Sequence, residues 1–203
     1  PSPAIVQEAM KRHLDFSNTS PAYSMWQILE PQREPVRRRM ARFFNCDPEE
    51  IALTRNASEG LQICQNGFDL KAGDEVLTTT QDYGRMISTF KQRECRDGIV
   101  MKQFKIPIPA ENDREIVRLF EDNITPKTKL IFFNSPNNPS GSIYTEEEYR
   151  ALAVVLEKHP HIYVISDEIY EHINYGEPNF SFAKIESMYD RTITVNGVAK
   201  AFA

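Results

Sequence analysis

The chain has 203 residues and a formal net charge of −5. That is enough for one large α/β domain or two small ones, without the basic excess that would favour nucleic acid or an anionic membrane surface. Cys46, Cys64 and Cys95 are widely spaced and form no CxxC pair, which argues against a disulfide framework or a zinc knuckle and for a reducing cytoplasm. The longest apolar run, Ala151 to Leu156, falls far short of the roughly 20 residues a membrane span needs, and no signal peptide is visible.

In chain order, residues 1–45 are rich in proline and arginine and read as an N-terminal arm, with residues 46–203 as the main domain. The chain opens at Pro1 rather than methionine, so removal of an original N-terminus is expected. Within the arm, Arg37-Arg38-Arg39 and Arg42 interleave with Met40 and Phe43-Phe44, as on a helix with one solvated face. A short apolar strand is expected at Ile51–Thr54, then a helix from Ser58 to about Phe68. Glu75–Thr79 reads as a strand, Gly84 to about Glu94 as a helix, and Ile99–Phe104 as another strand. Asp113–Asn123 carries Ile116, Val117, Leu119 and Phe120 at helical spacing. Leu130–Phe133 and Ile162–Ile165 are continuous apolar runs, as expected of strands buried on both faces. Between them Thr145 and Glu148 form a capping-box pattern, and His159-Pro160 ends the helix it opens. A last strand covers Arg191–Val195. Alternating elements of this kind predict an α/β fold, a mostly parallel sheet flanked by helices.

In open α/β sheets, ligands lie beyond the carboxyl ends of the strands. Asn134 and Asn138 follow one strand, Asp167 and Tyr170 the next, and Lys200 the last. Each alone has an ordinary explanation: a helix cap, a turn, a solvated lysine. Their arrival together at successive strand ends is what carries a functional reading.

Three motifs sit at those ends: Asn-Ser-Pro-Asn-Asn-Pro-Ser-Gly at 134–141, Ser-Asp-Glu-Ile-Tyr-Glu-His at 166–172, and Val-Asn-Gly-Val-Ala-Lys-Ala-Phe-Ala at 195–203. With them, residues 130–203 resemble the large domain of fold-type I pyridoxal-phosphate enzymes. Within that group the stretch is most similar to the class I aminotransferases, the bacterial aspartate aminotransferases in particular. The resemblance implies a pyridoxal 5′-phosphate cofactor and a role for each residue. Lys200 forms the Schiff base and later moves a proton between Cα and C4′. Asp167 keeps the pyridine nitrogen protonated, which makes the ring an effective electron sink. Asn138 and Tyr170 hydrogen-bond the phenolate oxygen.

Residues 1–130 resemble a different branch. Leu53-Thr54-Arg55-Asn56-Ala57-Ser58-Glu59-Gly60-Leu61-Gln62 is similar to the phosphate-binding turn of class V aminotransferase-fold proteins, which include isopenicillin-epimerase-like enzymes and cysteine desulfurases. A loop opening a helix can hold phosphate on its free amides; the matching positions are Ala57 and Ser58. Tyr83, in Thr79-Thr80-Gln81-Asp82-Tyr83-Gly84-Arg85-Met86, is the expected aromatic stacking on the cofactor ring. The likeness switches near Lys129 to Asn134, which predicts a chimera joined within the shared strand. Ala199 stands where class I enzymes usually have a phosphate-contacting serine, so one phosphate contact is expected to be missing. The family's downstream arginines and its small C-terminal domain would lie beyond Ala203, so a large domain truncated after Lys200 is expected.

Together these imply an aminotransferase acting on aspartate or a related acidic amino acid with a 2-oxo acid such as 2-oxoglutarate. The expected setting is the cytoplasm, as a homodimer, with no metal, nucleic-acid or membrane partner. Two alternatives stand beside it: a class V-type epimerase or lyase on the same cofactor, and an inactive cofactor-binding or structural fragment.

Overall fold

Apolar runs become parallel strands where helices can cover both of their faces, and the runs of the sequence do so from Glu75 onward. The computed structural model describes residues 2–107, 113–176 and 178–202; Ala203, the last residue of the third motif, lies outside them. Two units divide the chain, Pro1–Arg55 with Phe202–Ala203, and Asn56–Ala201.

The first unit is helical: α1 (Ala4–Thr19), a short α2 (Pro21–Tyr23), a π turn at Ser24–Leu29, and α3 (Arg33–Phe44). The basic run lies on α3 as expected, and Arg37 is held by Glu34 at 2.7 Å and Glu49 at 2.8 Å. A left-handed Asn45 (φ 54°) ends α3, and Asp47 with Glu50 caps the turn Pro48–Glu50. The strand expected at Ile51–Thr54 is not formed. Ala52, Leu53 and Thr54 are exposed, and the four residues run as a connector outside the sheet.

In the second unit the elements follow as α4 (Ala57–Gly67), β1 (Glu75–Thr79), α5 (Gly84–Asp97), β2 (Val100–Phe104), α6 (Asp113–Asn123), β3 (Thr128–Asn134), α7 (Glu146–Glu157), β4 (Tyr163–Asp167), α8 (Glu186–Tyr189) and β5 (Thr192–Val195). The strands form one parallel sheet in the order β2-β1-β3-β4-β5. Alternation along the strands splits the core in two. Leu77, Ile131, Phe133 and Val164 face Phe120 of α6 and Tyr149, Leu152 and Leu156 of α7. Val76, Leu130, Phe132 and Ile165 face Leu61 of α4 and Met86 and Phe90 of α5. Truncating a ring such as Phe132 to alanine would cost about 3–5 kcal/mol.

Local signals stop and start these helices where the sequence says they should. Thr145 accepts from the Glu148 amide at 3.1 Å while Glu148 accepts from the Thr145 amide at 2.7 Å. Gly98, left-handed at φ 72°, closes α5. Chain order reverses between β1 and β3: the β1–α5–β2 crossover runs one way across the sheet with its helix on one face, and later crossovers run the other way with α6 and α7 on the opposite face. This is the topological switch point at which open α/β sheets place ligands. Among the described residues, no helix is long and apolar enough to cross a membrane.

Candidate functional site

Register brings three strand ends level, with Asn134 beside Asp167 and Asp167 beside Val195. Asn134 Nδ2 and the Ser135 amide both donate to the Asp167 carbonyl, at 2.9 and 3.1 Å. The Glu168 amide donates to the Val195 carbonyl at 2.8 Å. These bonds fix where the chain leaves each strand and therefore where the following loop begins.

Asp167 is 4% exposed, and its Oδ1 accepts from the Ile169 amide at 3.2 Å. Burial pushes its carboxyl up to about 6, against the Ile169 amide; the charge of Asp82 adds to the rise and that of Lys200 opposes it. Beyond β3, Asn134 Oδ1 accepts from Asn137 Nδ2 at 3.2 Å and from the Asn138 amide at 3.3 Å. The loop so held runs through cis bonds at Ser135–Pro136 and Asn138–Pro139. It delivers Asn138 Nδ2 to the Tyr170 hydroxyl at 3.0 Å. Lys200 Nζ stands 5.6 Å from the centre of the Tyr170 ring, within the range of a cation–π contact. Asp167, Asn138, Tyr170 and Lys200, four of the residues singled out from the sequence, thus meet beyond β3, β4 and β5.

Gly197 brings a fifth, Ala57, close to them. A methyl group added there would come within 2.7 Å of Ile169 Cδ1 and 3.8 Å of Ala57 Cβ. The loop carrying Lys200, the turn carrying Asp167 and Tyr170, and the start of α4 are therefore packed as one. Ala57 and Ser58 are the first residues of α4, after an Asn56 cap that accepts from the Glu59 amide at 2.9 Å. Their own amides have no carbonyl one turn back, and the positive end of the helix favours an anion. Tyr83 leads into α5 and is 45% exposed. It stands beyond β1, at the same edge of the sheet but outside the hydrogen-bonded group of Asn138 and Tyr170.

Sequence reasoning missed two buried carboxylates at this edge. Asp82 is 7% exposed and its Oδ2 accepts from Thr78 Oγ1, the Thr79 amide and Thr79 Oγ1 at 2.5, 2.6 and 2.9 Å. Burial pushes it up to about 6, against those donors. Glu168 is 1% exposed, accepts from Ser166 Oγ at 3.0 Å and Ser181 Oγ at 2.8 Å, and burial pushes it up to about 7. The available signal was position: Asp82 follows Thr78-Thr79 at a strand end, and Glu168 adjoins Asp167. The side-chain Nδ2 of Asn196, on the way to Lys200, is buried and has no hydrogen-bond partner among the described residues.

A buried acid, a paired amide and phenol, an amine near that phenol and a helix start with free amides suit one kind of ligand. It would be a planar aromatic ring with a basic nitrogen, a ring oxygen, a carbonyl for the amine and a phosphate.

Comparison with known proteins agrees in kind. The family model for aminotransferase class I and II matches residues 2–203. The aspartate/prephenate aminotransferase of Thermus thermophilus is 35% identical over 210 residues, covering 100% of this chain and 50% of that protein. The aspartate aminotransferase of Rhizobium meliloti is 49% identical over 160 residues, covering 76% of this chain and 37% of its own. Among solved structures, a single mutant of the Thermus thermophilus aspartate aminotransferase superposes with a TM-score of 0.68 at 31% identity, over 83% of this chain and 44% of that one. The chain spans about half the length of relatives that match it from end to end.

Proposed function

The chain belongs to the class I and II aminotransferases, and on that premise we propose that it forms the cofactor-binding large domain of a pyridoxal-phosphate-dependent aminotransferase. The substrates would be aspartate or a related acidic amino acid, with 2-oxoglutarate as the 2-oxo acid. The observation that carries this reading is the meeting of Asp167, Asn138, Tyr170 and Lys200 at one sheet edge.

Bound there, pyridoxal phosphate supplies an electron sink that eases loss of the α-proton from an amino acid. The residues provide the rest. Asp167, held near 6 by burial, gains its natural counter-charge from a protonated ring nitrogen and holds the proton there. Asn138 Nδ2 and the Tyr170 hydroxyl, already 3.0 Å apart, both donate to the ring oxygen. Lys200 would hold the cofactor through Nζ and would carry a proton at that nitrogen. The amides of Ala57 and Ser58, with the Ser58 hydroxyl, take the phosphate. Tyr83 covers the ring. Ala199 offers no hydroxyl, so the phosphate rests the more on α4.

The acidic substrate is supported by the names of the relatives, aspartate and aspartate/prephenate aminotransferases. A homodimer in the cytoplasm is the setting we assign. The class V likeness rests on the Leu53–Gln62 turn and Tyr83; one family model spanning both halves of the chain favours a single lineage and transamination over epimerase or lyase chemistry.

Borohydride reduction of the chain mixed with pyridoxal phosphate, followed by peptide mass spectrometry, tests the reading. The adduct is expected on Lys200 and absent from Lys200→Ala. An adduct spread over surface lysines, or retained in that variant, would overturn the assignment. Bleaching of the visible band by aspartate and its return with 2-oxoglutarate would separate transamination from the class V reactions.

A further inference from the structure

Glu168 is the acid next to Asp167, and the cofactor reading leaves it unused. It is 1% exposed, and its Oε1 accepts from two hydroxyls at once, Ser166 Oγ at 3.0 Å and Ser181 Oγ at 2.8 Å. Both donors sit on fixed parts of the fold. Ser166 is buried within β4. Ser181 leads into the turn Phe182–Lys184, and Phe182 is fully buried, its ring centre 5.5 Å from that of Phe133 and 5.1 Å from that of Tyr149. A carboxylate so placed carries a desolvation cost that an apolar side chain would not, so packing alone is a poor account of it.

This clasp holds the base of a β-turn. The Glu168 amide donates to the Val195 carbonyl at 2.8 Å, and the Glu171 amide donates to the Glu168 carbonyl at 2.9 Å. Ile169 and Tyr170 are the two central residues of that turn. The Ile173 amide then donates to the Tyr170 carbonyl at 2.8 Å, and the Tyr170 hydroxyl meets Asn138 Nδ2 at 3.0 Å. Hydrogen bonds and backbone thus connect Ser181 to the phenol without a gap.

We propose that Glu168 is a positioning residue of this site: its side chain, clasped between Ser166 and Ser181, fixes the turn that presents Tyr170 to the ring oxygen. The proposal rests on the cofactor reading above and deepens it. Glu168 touches no reacting group. Two donors on one oxygen leave its side chain little freedom to swing, and each member of a buried network holds the next in place.

A double-mutant cycle tests this. Pyridoxal-phosphate affinity, by absorbance titration, and the visible band of the loaded protein are read for Glu168→Ala, Glu168→Gln, Tyr170→Phe and the pair Glu168→Ala with Tyr170→Phe. Thermal melting of each cofactor-free protein runs alongside. Glu168→Ala is expected to weaken affinity about fivefold and to shift the band in the same direction as Tyr170→Phe. Both effects should vanish where Tyr170→Phe is already present, since residues acting through one another are not additive. Glu168→Gln keeps an oxygen that both serines can reach, and should restore affinity to within about twofold of the unmutated chain. A lowered melting temperature with affinity and band unmoved would leave Glu168 a structural residue only and overturn the role. Losses that multiply with Tyr170→Phe, or that persist in full in Glu168→Gln, would overturn it too. Should Glu168→Ala not fold, Ser181→Ala removes the 2.8 Å donor; a band shift that disappears beside Tyr170→Phe supports the role, and an unmoved band overturns it. If the unmutated chain takes up no pyridoxal phosphate and gives no adduct at Lys200, the cofactor reading falls and takes this role with it. An adduct at Lys200 with affinity and band unmoved in the Glu168 and Ser181 variants removes the role alone.

Discussion

The two ends of the sheet bury polar groups in opposite ways. At the N-terminal end, each buried charge has an opposite charge or a set of carbonyls within reach. Glu75 Oε2 accepts from Thr125 Oγ1 at 2.6 Å and lies 3.5 Å from Lys102 Nζ. Burial works against its charge, but Thr125 and Lys102 outweigh it and hold the carboxyl below its ordinary value. Arg191 donates to the carbonyls of His159 and Leu156 at 2.8 and 2.9 Å, fastening the end of α7 to the start of β5. At the C-terminal end, the donors on Asp82 and Glu168 are hydroxyls and amides, Asp167 takes a single amide, and burial lifts all three, Asp82 and Asp167 to about 6 and Glu168 to about 7. One end of the sheet stabilises the fold; the other keeps acids under tension where a ligand can relieve it. Local rules broken at one place and kept elsewhere are what a functional site looks like.

That contrast can be broken or sharpened by mutation. The largest effect is expected from Arg191→Ala, which leaves part-buried carbonyls without their donor and should lower the urea-unfolding free energy by about 2 kcal/mol; a loss within error would show that this end is not the stabilising one. Asp167→Asn should act in the other direction. Its folded carboxyl, near 6, lies above the ordinary 3.8, so the stability gained by protonation is complete below about pH 4 and lost as pH rises through 6. The cofactor-free wild type should therefore weaken between pH 4 and 7. Asp167→Asn should be more stable than it by about 1–2 kcal/mol at pH 8 and no better at pH 4. Equal stability at both pH values would remove the tension argued for here. Glu75→Gln reverses the sign again: with its folded value lowered, Glu75 contributes above the unfolded value and loses that as pH falls. A loss of about 1 kcal/mol at pH 8, fading toward pH 3, is expected from the same urea series. The smallest effect on stability belongs to Tyr170→Phe, within about 0.5 kcal/mol, while the visible band of the loaded protein should shift; an unmoved band would take the hydroxyl out of the site.

Much of this sheet could be read from the sequence because its central strands, β1, β3 and β4, are largely buried on both faces. Leu130–Phe133 and Ile162–Ile165 are uniformly apolar for that reason, and the alternating helices carry explicit caps, as at Thr145 and Gly98. Ile51–Thr54 misled because four apolar or β-branched residues look the same whether or not a partner strand lies beside them. Lys200, Asp167, Asn138 and Tyr170 were legible through motifs that follow strand ends. Asp82 was not, since nothing before the fold is formed says that a carboxylate just past β1 will turn back and be buried against Thr78 and Thr79. Glu168 stayed hidden behind Asp167: adjacent strand residues face opposite sides, and nothing local says that Ser181 will fold back to meet it.

Gly197 has a consequence for anyone who would alter the reach of the terminal amine. With Ile169 2.7 Å from where a side chain would begin, the lever arm bearing Lys200 is pinned by a missing carbon. Lengthening or tilting that arm by redesign at position 197 therefore moves the tip of Ile169 first, and a smaller residue at 169 would make room for it beside Asp167 and Tyr170.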